Sequence, residues 1–209
     1  MAWGPEPGDA LPLSGALGAA RLEPLPALRP AAGEPPAEAF AAAVRAGDEA
    51  AVAGAVRFHF PRLARYVTRL SGDPGLAEDI AQESLVRAVV ACRRGRPPRQ
   101  LGTWLYAVAT NLWRDAARSA ERRRSVPGLP PDLAGGPDPA ARADEAEVLR
   151  AALARLPGEL RAVLVLHFYE GLTLGEIAGV TGSPLGTVKW RVFTALRRMR
   201  RLLGGGGQE

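Results

Sequence analysis

TLGEIAGVTGSPLGTVKWRVFTALRRMRRLL, residues 173–203, reads as a short helix, a glycine turn and a longer basic helix. At ~100° per residue, Leu185, Val188, Val192, Leu196, Met199 and Leu203 fall on one face of the second helix. Thr187, Trp190, Arg191, Thr194, Arg197, Arg198 and Arg201 fall on the opposite side. In the short helix before it, Ile177 and Val180 are apolar and Ala178 is small. Gly182 in the intervening Thr-Gly-Ser turn can take the left-handed conformation. Together these make a helix-turn-helix, whose second helix enters the major groove and meets base edges. Thr187, Trp190, Arg191 and Thr194 are then expected to read or pack on bases, with Arg198 on the same side. Lys189 lies nearer the flank and suits a phosphate. The bland alternative is a solvated basic helix. An outward Trp190 speaks against it, because a wholly exposed tryptophan is uncommon.

The rest of the chain is helical in the same way. Ala, Leu, Arg and Glu dominate and alternating β-branched runs are nearly absent, so the fold class is all-α. Helices are expected near 37–46, 49–70, 74–94 and 101–123, then near 140–155, 158–169, 173–180 and 184–203. Asp48, Asp73 and Ser183 are candidate N-caps, with Pro74 and Pro184 at first helical positions. Eight prolines within residues 1–36 break helix and strand alike, so that stretch reads as a disordered extension. Residues 125–139, SVPGLPPDLAGGPDP, read as a flexible acidic linker, and 204–209 as a flexible tail. Two small helical domains remain, 37–124 and 140–203, the second ending in the helix-turn-helix.

Charge follows the same division. Residues 37–124 carry 15 basic against 9 acidic side chains, and 148–209 carry 9 against 4. Residues 1–36 carry 2 against 4, and 125–147 carry 1 against 5. Two basic blocks around an acidic spacer suggest two modules that each meet a polyanion. Arginine supplies 26 of the 27 basic residues, a bias that reflects codon composition and by itself indicates no function. One cysteine excludes a disulfide framework and, with two histidines, leaves too few soft ligands for a structural zinc site. No apolar run approaches the ~20 residues of a membrane span, and the first residues lack the pattern of a secretory signal. A cytoplasmic protein without membrane insertion is expected.

Two further helices carry candidate surfaces. In 101–123, Leu101, Leu105, Val108, Ala109, Leu112 and Ala116 form an apolar face. Trp104, Asn111, Asp115, Arg118 and Arg122 share a separate stripe, with Arg114 beside it. An aromatic to stack, an amide for a base edge and arginines for phosphates suit unstacked nucleotides, although Trp104 could equally cap a core. The preceding RRGRPPR, residues 93–99, is a basic loop suited to flanking a strand. In 74–94, Ala77, Ile80, Ala81, Leu85, Ala88 and Cys92 face the core. Asp79, Gln82, Glu83, Val86 and Val90 face outward. Outward acids repel DNA, and outward valines favour a protein contact. His59 and His167 have no evident nucleophile or metal partner and read as packing or hydrogen-bonding residues. No phosphate-binding glycine loop is present. Neither enzymatic activity, a small-molecule substrate, a cofactor nor a metal is expected.

Three segments resemble one family. RLSGDPGLAEDIAQESLVRAV at 69–89 resembles the polymerase-binding helix of bacterial RNA polymerase sigma factors. GTWLYAVATNLWRDAARSAERRR at 102–124 resembles their strand-opening helix. LPGELRAVLVLHFYEGLTLGEIAGVTGSPLGTVKWRV at 156–192 resembles their C-terminal promoter-binding domain. Three motifs in this order, in so short a chain, are most similar to the extracytoplasmic-function (ECF) group. The resemblance implies a factor that binds core RNA polymerase, directs it to particular promoter DNA and assists opening. It implies that Asp79, Gln82 and Glu83, with Val86 beside them, grip the polymerase clamp. Trp104, Asn111, Arg114 and Arg118, extended by Arg122, would meet the melted minus-ten element. Loop 93–99 would border the pocket for an extruded base. Thr187, Lys189 and Arg191 would meet the minus-thirty-five element. Leu160, Val163, Leu164 and Phe168 match the region that meets the polymerase flap. An anti-sigma factor is a partner that the resemblance leaves open. Gly175, Gly179 and Trp190 depart from the family pattern.

Two other readings compete. A helix-turn-helix transcriptional regulator that is not a polymerase subunit would leave the faces of 74–94 and 101–123 unexplained. A purely protein-binding helical module would leave both basic blocks without a purpose.

Overall fold

The computed structural model describes residues 34–124 and 145–204. The expectations of a leader over 1–33, a linker over 125–139, a helix start at 140 and a tail over 205–209 lie outside the described residues. Helices α1 (Ala37–Ala46), α2 (Glu49–Ser71), α3 (Pro74–Arg93) and α4 (Leu101–Arg124) come first. They are followed by α5 (Glu145–Ala154), α6 (Gly158–Leu164), α7 (Leu174–Thr181) and α8 (Leu185–Gly204). Among the described residues there is no strand.

The local chemistry explains the boundaries. The Asp48 carboxylate accepts the Ala51 N–H at 3.0 Å, and Asp73 accepts that of Leu76 at 3.1 Å. Each satisfies a donor that the first turn leaves free. Pro74 occupies the first position of α3, where its missing N–H costs nothing. Thr173 and Glu176 form a reciprocal capping box on α7, and Gly182 (φ 63°) closes that helix in the left-handed conformation.

Two boundaries differ from expectation. The helix expected over 158–169 is α-helical only to Leu164 and continues as a π-helical turn, Val165–Tyr169. Its widened register shows in the Glu170 N–H donating to the Val165 carbonyl at 3.1 Å. Ser183 does not cap α8, which begins at Leu185; its hydroxyl instead receives the Arg191 guanidinium at 2.9 Å.

The core begins between α2, α3 and α4. Leu63, Tyr66, Val67 and Leu70 pack with Ala77, Ile80, Ala81, Leu85, Ala88 and Cys92, and with Leu101, Leu105 and Ala109. Each fully buried leucine contributes roughly 1.5–3 kcal/mol. The small alanines of α3 let the helices approach closely. Tyr66 is fully buried, and its hydroxyl pairs with Thr110 Oγ1 at 2.8 Å, satisfying a group whose burial pushes its pKa up. The same apolar cluster runs on into Val163, Val165, Leu166, Ile177, Val180 and Val188. A second cluster joins Ala152, Leu153, Leu156, Leu160 and Leu164 to Ala195 and Met199 of α8.

The two helical groups are therefore in direct contact. Gly158, at the start of α6, sits against the Trp113 indole of α4. A Cβ there would come within 2.6 Å of the ring, so only glycine permits this approach. Arg161 crosses the same junction and donates to the Leu70 carbonyl, while its other amine reaches the Leu156 carbonyl at 3.0 Å. Tyr106 donates to the buried Glu170 carboxylate at 2.5 Å, with Arg69 3.7 Å from its other oxygen.

Of the extension expected over 1–36, residues 34–36 are described, and they are neither helix nor strand. Glu34, Pro35 and Pro36 lie along the junction, and the Glu34 carboxylate accepts the Gly102 N–H at 3.1 Å. Glu34 thereby satisfies one of the free donors at the start of α4.

Candidate nucleic-acid and polymerase-binding faces

Helix α3 has the simplest geometry. Asp79, Gln82, Glu83, Val86 and Val90 are all exposed, and their opposite face is sealed in the core. Val86 is 51% exposed. Glu83 is paired with Arg87 at 2.8 Å, which leaves Asp79 and Gln82 as the uncommitted polar groups of the face. The arrangement offers negative charge around an apolar centre, the pattern of a protein contact.

Helix α4 is divided. Asn111, Arg118 and Arg122 are exposed on one stripe, with Arg118 held by Asp115 and Arg122 reaching Ser119 Oγ at 3.2 Å. Trp104 begins the stripe but is half-buried and packs on the core, so one ring serves both surfaces. Arg114 is turned away from solvent. Its Nε and Nη2 donate to the two Glu159 oxygens at 2.8 and 2.9 Å, and Nη1 reaches the Thr181 carbonyl at 3.2 Å. Such a bidentate pair is the arrangement arginine also makes with phosphate. In the 93–99 loop, Arg93, Arg94, Arg96 and Arg99 are exposed while Pro98 is buried and fixes the turn.

Helix α8 keeps most of its expected apolar face: Val188 and Met199 are buried, and Val192, Leu196 and Leu203 are half-buried. The buried arc extends to Ala195, while Leu185 is 44% exposed. Small Ala195 lets α8 settle closely among Ala152, Leu153, Leu160 and Leu164. Thr194, expected to face outward, is buried. Thr187 and Arg191 are half-buried. Arg191 Nη1 lies 3.1 Å from Glu159, so the carboxylate that holds Arg114 holds Arg191 as well. Lys189, expected at the flank, stands in the open with Trp190, Arg197 and Arg198. Phe193, which the sequence reading missed, joins them at 54% exposure. Its place beside Lys189, Trp190 and Arg197 follows once the helix wheel is centred on Ala195.

A further correction concerns Leu160, Val163 and Leu164. They are buried, and Phe168 is half-buried against the second cluster, so in this arrangement they are core rather than a docking surface. The histidines are packing residues. His167 Nδ1 pairs with the Leu172 carbonyl at 2.9 Å. His59 is buried, its pKa lowered to about 4 by desolvation and secondarily by Arg62. Its Nε2 has no hydrogen-bond partner, the Glu34 carboxylate being 4.0 Å away. Among the described residues no group of three or more acidic, histidine or cysteine side chains could hold a metal ion. No described helix is long and apolar enough to cross a membrane.

Residues 55–123 match the family model of Sigma-70 region 2, and residues 152–201 that of Sigma-70, region 4. The chain is 39% identical over 154 residues to the ECF RNA polymerase sigma factor SigL of Mycobacterium tuberculosis, covering 69% of this chain and 84% of that protein. It is 36% identical over 167 residues to the ECF RNA polymerase sigma factor SigE of Mycolicibacterium smegmatis, covering 75% of this chain and 64% of that protein. Its fold is similar to that of the sigma factor RpoE from Bartonella quintana, solved in complex with the anti-sigma factor NepR. There the TM-score is 0.56 at 24% identity, covering 73% of this chain and 96% of that one. With both regions matched in order, and a relative well above 30% identity over most of its length, this chain belongs to the ECF RNA polymerase sigma factors.

Proposed function

We propose that this chain binds core RNA polymerase in the bacterial cytoplasm, directs it to a particular set of promoters and assists strand opening. The observation that carries the reading is the exposed acid–valine face of α3 on an otherwise basic protein. A factor that only bound DNA would gain nothing from it, because acids there repel phosphates.

The residues divide into three roles. Asp79, Gln82, Glu83 and Val86 make the polymerase contact. Trp104, Asn111, Arg118 and Arg122 meet the opened minus-ten strand, the ring stacking a base and the guanidinium groups holding its backbone. Lys189, Trp190 and Arg198 meet the minus-thirty-five duplex. Thr187 and Thr194 lie on the covered flank of α8 and support the helix rather than read bases in this arrangement. Arg114 and Arg191 belong to the promoter-binding set only after leaving Glu159, since a guanidinium cannot give the same donors to carboxylate and phosphate together. For Arg114 this requires the two helical groups to separate at α6, whereas Arg191 pairs with Glu159 inside its own group. An anti-sigma factor that favours the closed arrangement would hold Arg114 out of reach.

Run-off transcription with purified core polymerase tests the reading. Promoter-specific transcripts that require this chain and disappear with Asp79→Arg support it. Sequence-specific DNA binding by the chain without any effect on core polymerase would instead make it a stand-alone regulator.

A further inference from the structure

We infer that Trp190 and Phe193 of α8 form an aromatic reading head that recognises thymine C5-methyl groups in the upstream promoter element. The inference rests on the promoter-binding reading above. Among the described residues these are the only exposed aromatic side chains, at 62% and 54%. They are three positions apart, so they stand side by side on one helix face, roughly 5–6 Å apart at Cβ.

The surroundings identify the occupant. Lys189, Arg197, Arg200 and Arg201 are exposed around the pair, placing positive charge on either side of an apolar centre. A duplex meets such a face with phosphates at the edges and base edges between them. Thr194 is buried and Thr187 and Arg191 are half-buried, Arg191 against Glu159 of α6, which leaves Gly186, Lys189, Trp190, Phe193, Arg197 and Arg198 exposed on α8 and free to enter a groove. Gly186 has open space around it, so the start of the helix can come close to the bases.

The chemistry then narrows the target. Phe193 has no hydrogen-bonding atom and cannot use the donor and acceptor code of the major groove. The apolar feature of that groove is the C5-methyl of thymine. Trp190 presents a large ring body to the same region, with one N–H as an additional donor. Burying one methyl is worth about fourfold in affinity.

The test uses the full chain assembled with core polymerase, on a promoter fragment recovered by run-off transcription. Each thymine of the upstream element is replaced in turn by deoxyuridine, which removes one methyl and leaves every hydrogen bond in place. Native holoenzyme should lose about fourfold in affinity at one or two of these positions. Trp190→Ala and Phe193→Ala should each become insensitive at one of them, and Trp190→Phe should retain part of the sensitivity. Variant helicity is compared by circular dichroism. Indifference of native holoenzyme to every replacement would overturn the inference. So would equal losses by the variants on thymine and uracil fragments, or variants that keep the native methyl sensitivity and leave this face to a protein partner. Recovery of no promoter at all would overturn the proposed function itself, a distinguishable failure.

Discussion

Helices α3 and α4 are neighbours in sequence and similar in length, yet they treat their polar faces in opposite ways. Among the described residues the outward face of α3 stays open: Asp79, Gln82, Val86 and Val90 are exposed. The polar side of α4 is partly consumed inside the molecule, with Arg114 on Glu159 and Trp113 under Gly158. The difference follows from what each face is proposed to bind. An acid–valine surface awaits a large protein, for which a short chain holds no small substitute. A guanidinium awaiting phosphate finds an adequate substitute in a carboxylate, because both accept two parallel N–H donors. Glu159 supplies that substitute to Arg114 and Arg191, one from each helical group.

The sharpest contrast between the two faces is in stability. Trp113→Ala removes the ring that fills the junction and should cost about 3–5 kcal/mol of unfolding free energy. Val86→Ala on the open face should stay within about 0.5 kcal/mol of the native protein. Urea denaturation of both variants measures this. A mild effect of Trp113→Ala would mean that the junction contributes little to the fold.

The junction should also respond to acid, through His59. Its folded pKa of about 4 lies below the ordinary 6.5, so the unfolded chain takes up the proton first. The stabilisation is fully present above about pH 6.5 and is lost as pH falls through about 4. The shift corresponds to roughly 3 kcal/mol. Melting temperatures across that window, compared with His59→Gln, isolate the contribution. Parallel curves for the two proteins would assign the acid sensitivity to other groups.

On the open face the effect should appear only with a partner. Asp79→Arg should weaken binding to core polymerase by about tenfold or more, as like charge replaces complementary charge. Its unfolding free energy should remain within about 0.5 kcal/mol of native. Equal affinity of native and variant chains for core polymerase would move the contact away from α3.

Much of this was legible in the sequence, for reasons confined to single helices. The turns at Asp48 and Asp73 are set by local capping chemistry, and both caps form where the sequence places them. The inward face of α3 follows from spacing alone, down to buried Cys92. The orientation of α8 was legible only in part. Its leucines define a wide apolar arc, and only the close fit of Ala195 against α5 and α6 decides which part is covered. Thr194, expected outward, is buried as a result, and Phe193 is exposed. Glu159 was missed because it meets Arg114 from 45 positions away, a pairing that no periodicity within one helix reveals.

The smallest expected effect is the most informative about the closed arrangement. Glu159→Gln keeps the shape of the side chain and removes its charge, so both arginines lose their ionic partner while Gly158 and Trp113 stay in contact. With Glu159 42% exposed and the arginines less so, the loss in stability should be modest, about 1 kcal/mol. The same change should raise the affinity of the chain with core polymerase for promoter DNA by a few-fold, because Arg114 and Arg191 no longer leave a charged acceptor to reach phosphate. A destabilised variant that nevertheless binds promoter better is a combination that simple loss of structure does not produce. Reduced promoter binding by Glu159→Gln, with native polymerase affinity, would show instead that Glu159 holds the two arginines in position for DNA. The contrast between α3 and α4 would then rest on packing alone.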